Sequence, residues 1–144
     1  MDLDRLAQLP TESIEEIRCN HVLEHIHNPE QVWCEFGRIL KTGGRLEILV
    51  PHFSRGWLSG THKRAFSLPA FEAFEVEGYA PKGQFILVDK GLRYAQHTSY
   101  NSKEILIAAP VLNWLAGQST TFCERVWCYW VGGFDEAWFV YEKA

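Results

Sequence analysis

A chain of 144 residues with 47% apolar and 14% aromatic content can bury a core of its own, which excludes a disordered polypeptide and fits a single domain over residues 1–144. A net charge of −4, with no stripe of basic residues, argues against a nucleic-acid backbone as partner, and no apolar run reaches membrane-spanning length. The four cysteines form no Cys-x-x-Cys pair and Met1-Asp2-Leu3-Asp4 has no signal-peptide character, so reduced thiols in a cytoplasmic protein are expected.

In chain order, residues 1–13 predict the end of a strand followed by a loop. Residues 14–19 predict a strand ending at Asn20, and His21 to His27 a short loop or helical turn. Asn28 then suits a helix cap, Pro29 the first helical position, and Gln31 can reach back to the cap. Val32, Cys34, Phe36, Ile39 and Leu40 form the apolar stripe of that helix. Gly43-Gly44 is expected to end it, with Lys41 in its last turn. Leu46, Ile48 and Val50 then alternate as a strand stopped by Pro51, which completes one half of a βαβ unit.

Residues 52–68 lack periodicity and carry His52, Phe53, His62, Lys63 and Arg64. An irregular segment after the C-terminal end of a strand is where α/β folds place ligand contacts. Pro69 to Phe74 predicts a short helix, and Phe85 to Val88 a strand with Leu92 to Tyr94 as hairpin partner across Lys90-Gly91. Residues 102–116 predict a helix that Pro110 ends or kinks near Ala109. An aromatic-rich stretch, Phe122 to Trp130, precedes a terminal strand at Ala137 to Tyr141. Its Trp and Tyr side chains read as core or subunit contact rather than as a ligand cage.

Three stretches taken together resemble class I S-adenosylmethionine-dependent methyltransferases, and most of all their type 11 group: His21-Val22-Leu23-Glu24-His25-Ile26, Arg38-Ile39-Leu40-Lys41-Thr42-Gly43-Gly44, and Leu46-Glu47-Ile48-Leu49-Val50-Pro51. Thr42 stands where that pattern has proline. Thr61-His62-Lys63-Arg64-Ala65-Phe66-Ser67, Asn113 and Cys123-Glu124-Arg125 are similar to one bacterial subgroup of it. The resemblance implies an α/β, Rossmann-like methyltransferase fold, a three-layer sheet with helices. It also implies S-adenosylmethionine as cofactor and a small-molecule or saccharide acceptor. The family's glycine-rich first loop has no counterpart here, because no G-x-G-x-x-G occurs. An N-terminally truncated fold lacking the first βαβ unit is therefore expected, with the edge of the strand at 14–19 left open. Such a chain could be a fragment, a subunit completed by a partner, or a self-associating remnant without catalysis.

By the same resemblance Asp2 and Leu3 fall at the end of the family's third strand, near the adenine, and Asn20 and His21 border the methyl-bearing end of the cofactor. His52, Phe53, His62 and Lys63 are the candidate acceptor contacts, and His52 is the candidate general base, since an unperturbed imidazole titrates near neutrality. The alternatives are a terminal surface residue for Asp2, ordinary loop hydrogen bonding for Asn20 and His21, and a charged surface loop for His52, His62 and Lys63. His21, His25 and His27 with Glu24 hold metal-ligand atom types, but no H-E-x-x-H or Cys at ligand spacing accompanies them. No metal is assigned, and Glu24 and His25 read as a structural hydrogen-bonding pair.

Overall fold

The computed structural model describes residues 3–56, 59–94, 103–130 and 132–144, with residues 3–4 and 103–106 described as backbone only. Four strands form one sheet in the order β1-β2-β4-β3: β1 Ile14–Asn20, β2 Leu40–Pro51, β3 Phe85–Arg93 and β4 Glu136–Lys143. β1 and β2 are parallel, joined through the helix α2 (Pro29–Ile39) as a βαβ unit, while β4 is antiparallel to both β2 and β3. Among the described residues β1 pairs with β2 alone, which leaves its other edge unpaired there.

The core lies on one face of this sheet. Alternation on β2 sends Leu46, Ile48 and Val50 inward, and Phe139 and Tyr141 do the same on β4. Trp33, buried on α2, meets Phe71 at 5.3 Å, Phe85 at 4.6 Å and Tyr141 at 5.0 Å between ring centroids. Phe71 comes from the short helix α3 (Ala70–Val76), which explains why the irregular segment folds back onto the sheet. Trp33 stood outside the expected stripe, whereas Cys34, which stood inside it, is only half-buried. On the opposite face Glu47, Leu49, Trp138 and Val140 stay half-buried.

Several local expectations are corrected. Residues 3–7 form a helix, α1 (Leu3–Ala7), not a strand end. The Arg38 guanidinium donates to the carbonyls of Leu6 at 2.9 Å and Leu9 at 2.8 Å, satisfying acceptors that a helix leaves open at its C-terminal end. The Asn28 side chain makes no capping hydrogen bond. α2 ends at Ile39, before the glycine pair, and Lys41 belongs to β2, where it pairs with Glu15 at 2.7 Å. Ile14 pairs Leu40 and Glu16 pairs Arg45, so residues 41–44 bulge out of the ladder, with Gly43 at φ +75°.

No hairpin occurs at Lys90-Gly91. β3 runs straight through, because Gly91 pairs Trp138 and a Cβ there would meet the indole at 2.8 Å. Pro110 does not end its helix either: α4 (Lys103–Gln118) is continuous, although proline removes one bond. Buried Ala109 and Ala116, seven residues apart, hold it on both sides of the proline. The largest exposed apolar side chains of the C-terminal helical region, Trp114, Tyr129 and Trp130, lie far in sequence from the open β1 edge. Trp33→Ala should cost about 3–5 kcal/mol, measured by urea unfolding, because it opens a cavity beneath α3 that rigid aromatic neighbours cannot close.

Candidate active-site rim

Strand direction assembles the site. The C-terminal ends of β1 and β2 and the start of β4 meet at one rim, and β3 ends there with Arg93 opposite Glu136. Ligands of open α/β sheets bind at such rims. His21 follows β1, its N–H continues the ladder to the Leu49 carbonyl at 2.8 Å, and its φ is 51°. This left-handed conformation costs a non-glycine residue about 1–2 kcal/mol.

The compensation is electrostatic. Glu136 is 1% exposed, and His21 Nε2 lies 2.7 Å from its Oε1. The other ring nitrogen, Nδ1, is 3.4 Å from Glu24 Oε1. The hydrogen bond to Glu136, aided by Glu24, outweighs burial and raises the His21 pKa to about 9. His21 is therefore a cation at neutral pH, with both ring N–H groups turned to carboxylates. Arg93 adds a second positive charge 3.7 Å from Glu136 Oε2, and Arg55 pairs Asp135 at 2.8 Å next in the chain.

His52, the candidate general base in the irregular segment after β2, is fully buried. Nδ1 meets Ser54 Oγ at 2.7 Å, Nε2 faces Glu124 Oε1 at 3.4 Å, and the ring packs on Phe53 and Phe134. Glu124 also accepts the Leu68 N–H at 2.6 Å. Burial pushes the Glu124 carboxyl up, but its hydrogen bonds to His52 and Leu68 prevail and hold it below the ordinary value. Glu124 stands in a π-helical turn, Cys123–Trp127, so His52 joins the rim to the C-terminal helices. Phe53 is half-buried and donates its N–H to the Phe66 carbonyl at 2.9 Å.

The segment after β2 returns to the loop after β1. Lys63, itself exposed, donates its backbone N–H to the Glu24 carbonyl at 2.8 Å, and Arg64 donates to the His27 carbonyl. This lays His62 against His25, ring centroids 5.0 Å apart. Glu24 sits in the 3-10 turn Leu23–His25 at 0% exposure, and neither carboxylate oxygen has a hydrogen-bond partner. The expected Glu24–His25 hydrogen bond is absent, since His25 Nε2 stands 3.8 Å away. Asn20 lines a hollow of about 340 Å³ on the half-buried sheet face, with Leu49, Arg93 and Trp138.

Of the sequence-derived candidates, Asp2 lies outside the described residues and Leu3 opens α1 as backbone alone. Asn20 and His21 reach the rim, His62 and Lys63 reach Glu24, and His52 points into the core. Glu136 and Arg93 were missed. Their only signal in the sequence was a charge beside an expected strand end, and that signal does not say which strand ends meet.

Residues 1–48 match the family model described as a methyltransferase domain. The structure resembles a S-adenosylmethionine-dependent methyltransferase from Archaeoglobus fulgidus at 14% identity and TM-score 0.56, covering 99% of this chain and 66% of that one. It resembles the YcgJ protein of Bacillus subtilis at 17% identity and TM-score 0.53, covering 94% and 66%. A geranyl diphosphate C-methyltransferase from Streptomyces coelicolor, solved with Mg2+, geranyl diphosphate and S-adenosyl-L-homocysteine, is 9% identical with TM-score 0.53, covering 95% and 49%. The chain thus spans about half to two thirds of the length of these structures. No curated protein sequence matches it. The resemblance read from the sequence is borne out, and the fold is the α/β, Rossmann-like fold of these methyltransferases.

Among the described residues near the rim, the fit to a whole sulfonium cofactor is incomplete. Two described glycines near the rim are filled by the chain itself: a Cβ at Gly56 would meet Ala65 at 2.7 Å, and one at Gly133 would meet Arg55 at 2.6 Å. Neither leaves a backbone cradle for the methionine end. Glu136→Gln should lower stability by about 1–3 kcal/mol, since it replaces a charge-assisted hydrogen bond by a neutral one. Proton NMR of the His21 ring should at the same time show its pKa fall back toward the ordinary imidazole value.

Proposed function

We propose that this chain, whose first 48 residues carry a methyltransferase-domain sequence on a methyltransferase fold, works in S-adenosylmethionine-dependent methyl transfer as one wall of the reaction cleft. The observation that carries this reading is the rim: a strained His21, held as a cation by buried Glu136, stands where β1 ends. Backbone strain of this kind persists where surrounding structure over-determines it, as in ligand clamps. Asn20 and His21 border the methyl-bearing end of the cofactor.

The acceptor is a small molecule or a saccharide that enters over Phe53, His62 and Lys63. Orientation supplies much of the rate in such a cleft, so no acidic or basic side chain is demanded for an acceptor that is already nucleophilic. His52, with both nitrogens engaged and no exposure, acts as a positioning residue that holds Ser54 and Glu124 rather than as the base. Calorimetric titration of S-adenosylmethionine into the chain tests the reading. Binding that weakens at least tenfold in His21→Ala supports it; the absence of any heat at sub-millimolar protein ends the enzymatic reading for this chain by itself.

A second reading is favoured by the open β1 edge. A non-catalytic remnant would use that row of unpaired backbone groups to add a strand from a partner or a second copy. Sedimentation should then give a mass above 16.6 kDa at micromolar concentration. A stable, strict monomer would count against it.

A further inference from the structure

We propose that Glu24, His25 and His62 bind a divalent cation of the zinc type at the rim, a site that stands independently of the methyl-transfer reading. One ligand atom from each residue lies within 4.8 Å of the other two. An ion with bonds of about 2.1 Å needs tetrahedral ligand atoms about 3.4 Å apart, so a modest rotation of the two rings closes the set. Both rings have room to move, because His25 is exposed and His62 only half-buried.

The carboxylate is the first reason to expect an ion there. Glu24 is completely removed from solvent, and neither of its oxygens accepts a hydrogen bond. The His21 cation stands near Oε1, and a coordinated ion would supply the bonds that the carboxylate lacks. His21 Nδ1 at 3.4 Å and His25 Nε2 at 3.8 Å stand close to Oε1 without completing its coordination.

The histidine tautomers are the second reason. His62 Nδ1 lies 2.6 Å from the Gly56 carbonyl oxygen, and His25 Nδ1 lies 3.3 Å from that of Thr61. A carbonyl can only accept, so in each ring Nδ1 carries a proton, and the neutral ring presents its lone pair at Nε2. That is the arrangement in which backbone carbonyls orient metal-binding imidazoles. The backbone is braced as well, since Lys63 N–H holds the Glu24 carbonyl at 2.8 Å and fixes the two loops against each other.

Two imidazoles and one carboxylate form a three-ligand set that leaves a zinc-type ion at least one open position, on the solvent side where His25 is exposed. Water fills it, or an oxygen of a molecule bound at the rim. His21, anchored on Glu136, lies outside the ligand set and orients Glu24 from behind. His27, exposed and in the same loop, does not belong to the cluster.

The test uses the 144-residue chain stripped with a chelator and titrated with Co2+, whose visible ligand-field bands report nitrogen and oxygen coordination, and with Zn2+ by calorimetry. One ion per chain is expected, with a higher thermal midpoint in Zn2+. His62→Gln and His25→Gln, at positions with surface access, should keep the fold and weaken binding at least tenfold, while His27→Gln should bind as the parent chain does. Glu24→Gln should abolish the tetrahedral Co2+ spectrum. A parent chain without Co2+ bands at equimolar metal, or a His62→Gln chain with unchanged affinity, would overturn the proposal.

Discussion

The carboxylate of Glu136 is the constraint on which the rim depends. Removing a charge from water costs several kcal/mol unless a partner stays beside it. Here the partner is His21, 2.7 Å away and 115 residues earlier in the chain. Because β4 pairs both β2 and β3, a contact from its first residue to the end of β1 ties the edge of the sheet to its centre. His21 accepts an unfavourable backbone conformation to reach that contact. The same ring turns its other nitrogen to Glu24, so two buried carboxylates are linked through one cation.

The rest of the sheet is asymmetric. One face is closed by an aromatic cluster around Trp33 and Phe71, which packs α2 and α3 onto the sheet. The other face is half-covered, and among the described residues β1 is unpaired along one side. Stability therefore resides in the aromatic layer, away from the rim, and the rim can hold strained and buried polar groups. A methyltransferase fold spanning half to two thirds of its structural relatives keeps its own core by this division.

Much of the βαβ unit was legible, because strand alternation and helix stripe are local properties of 14–51. The failures share a physical cause. α1 is finished by Arg38, the glycine pair bulges because β1 and β2 must stay in register, and Gly91 is backed by an indole from β4. Each is decided by a residue distant in sequence. The same holds for the site: His21 was visible as the residue after a strand, whereas Glu136 and Arg93 acquire meaning only when the strand order brings them opposite it.

The sequence by itself determined the family resemblance, the core strand at 46–50, the start of α2 at Pro29 and the absence of a G-x-G-x-x-G motif, since all of these are carried by neighbouring residues. Tertiary structure alone decided that His52 is interior, that His62 rather than His27 lies beside Glu24 and His25, and that Glu136 holds His21. Burial and charge pairing depend on which segments fold against one another, and residues 37 and 115 positions apart carry no mark in the chain that they will meet.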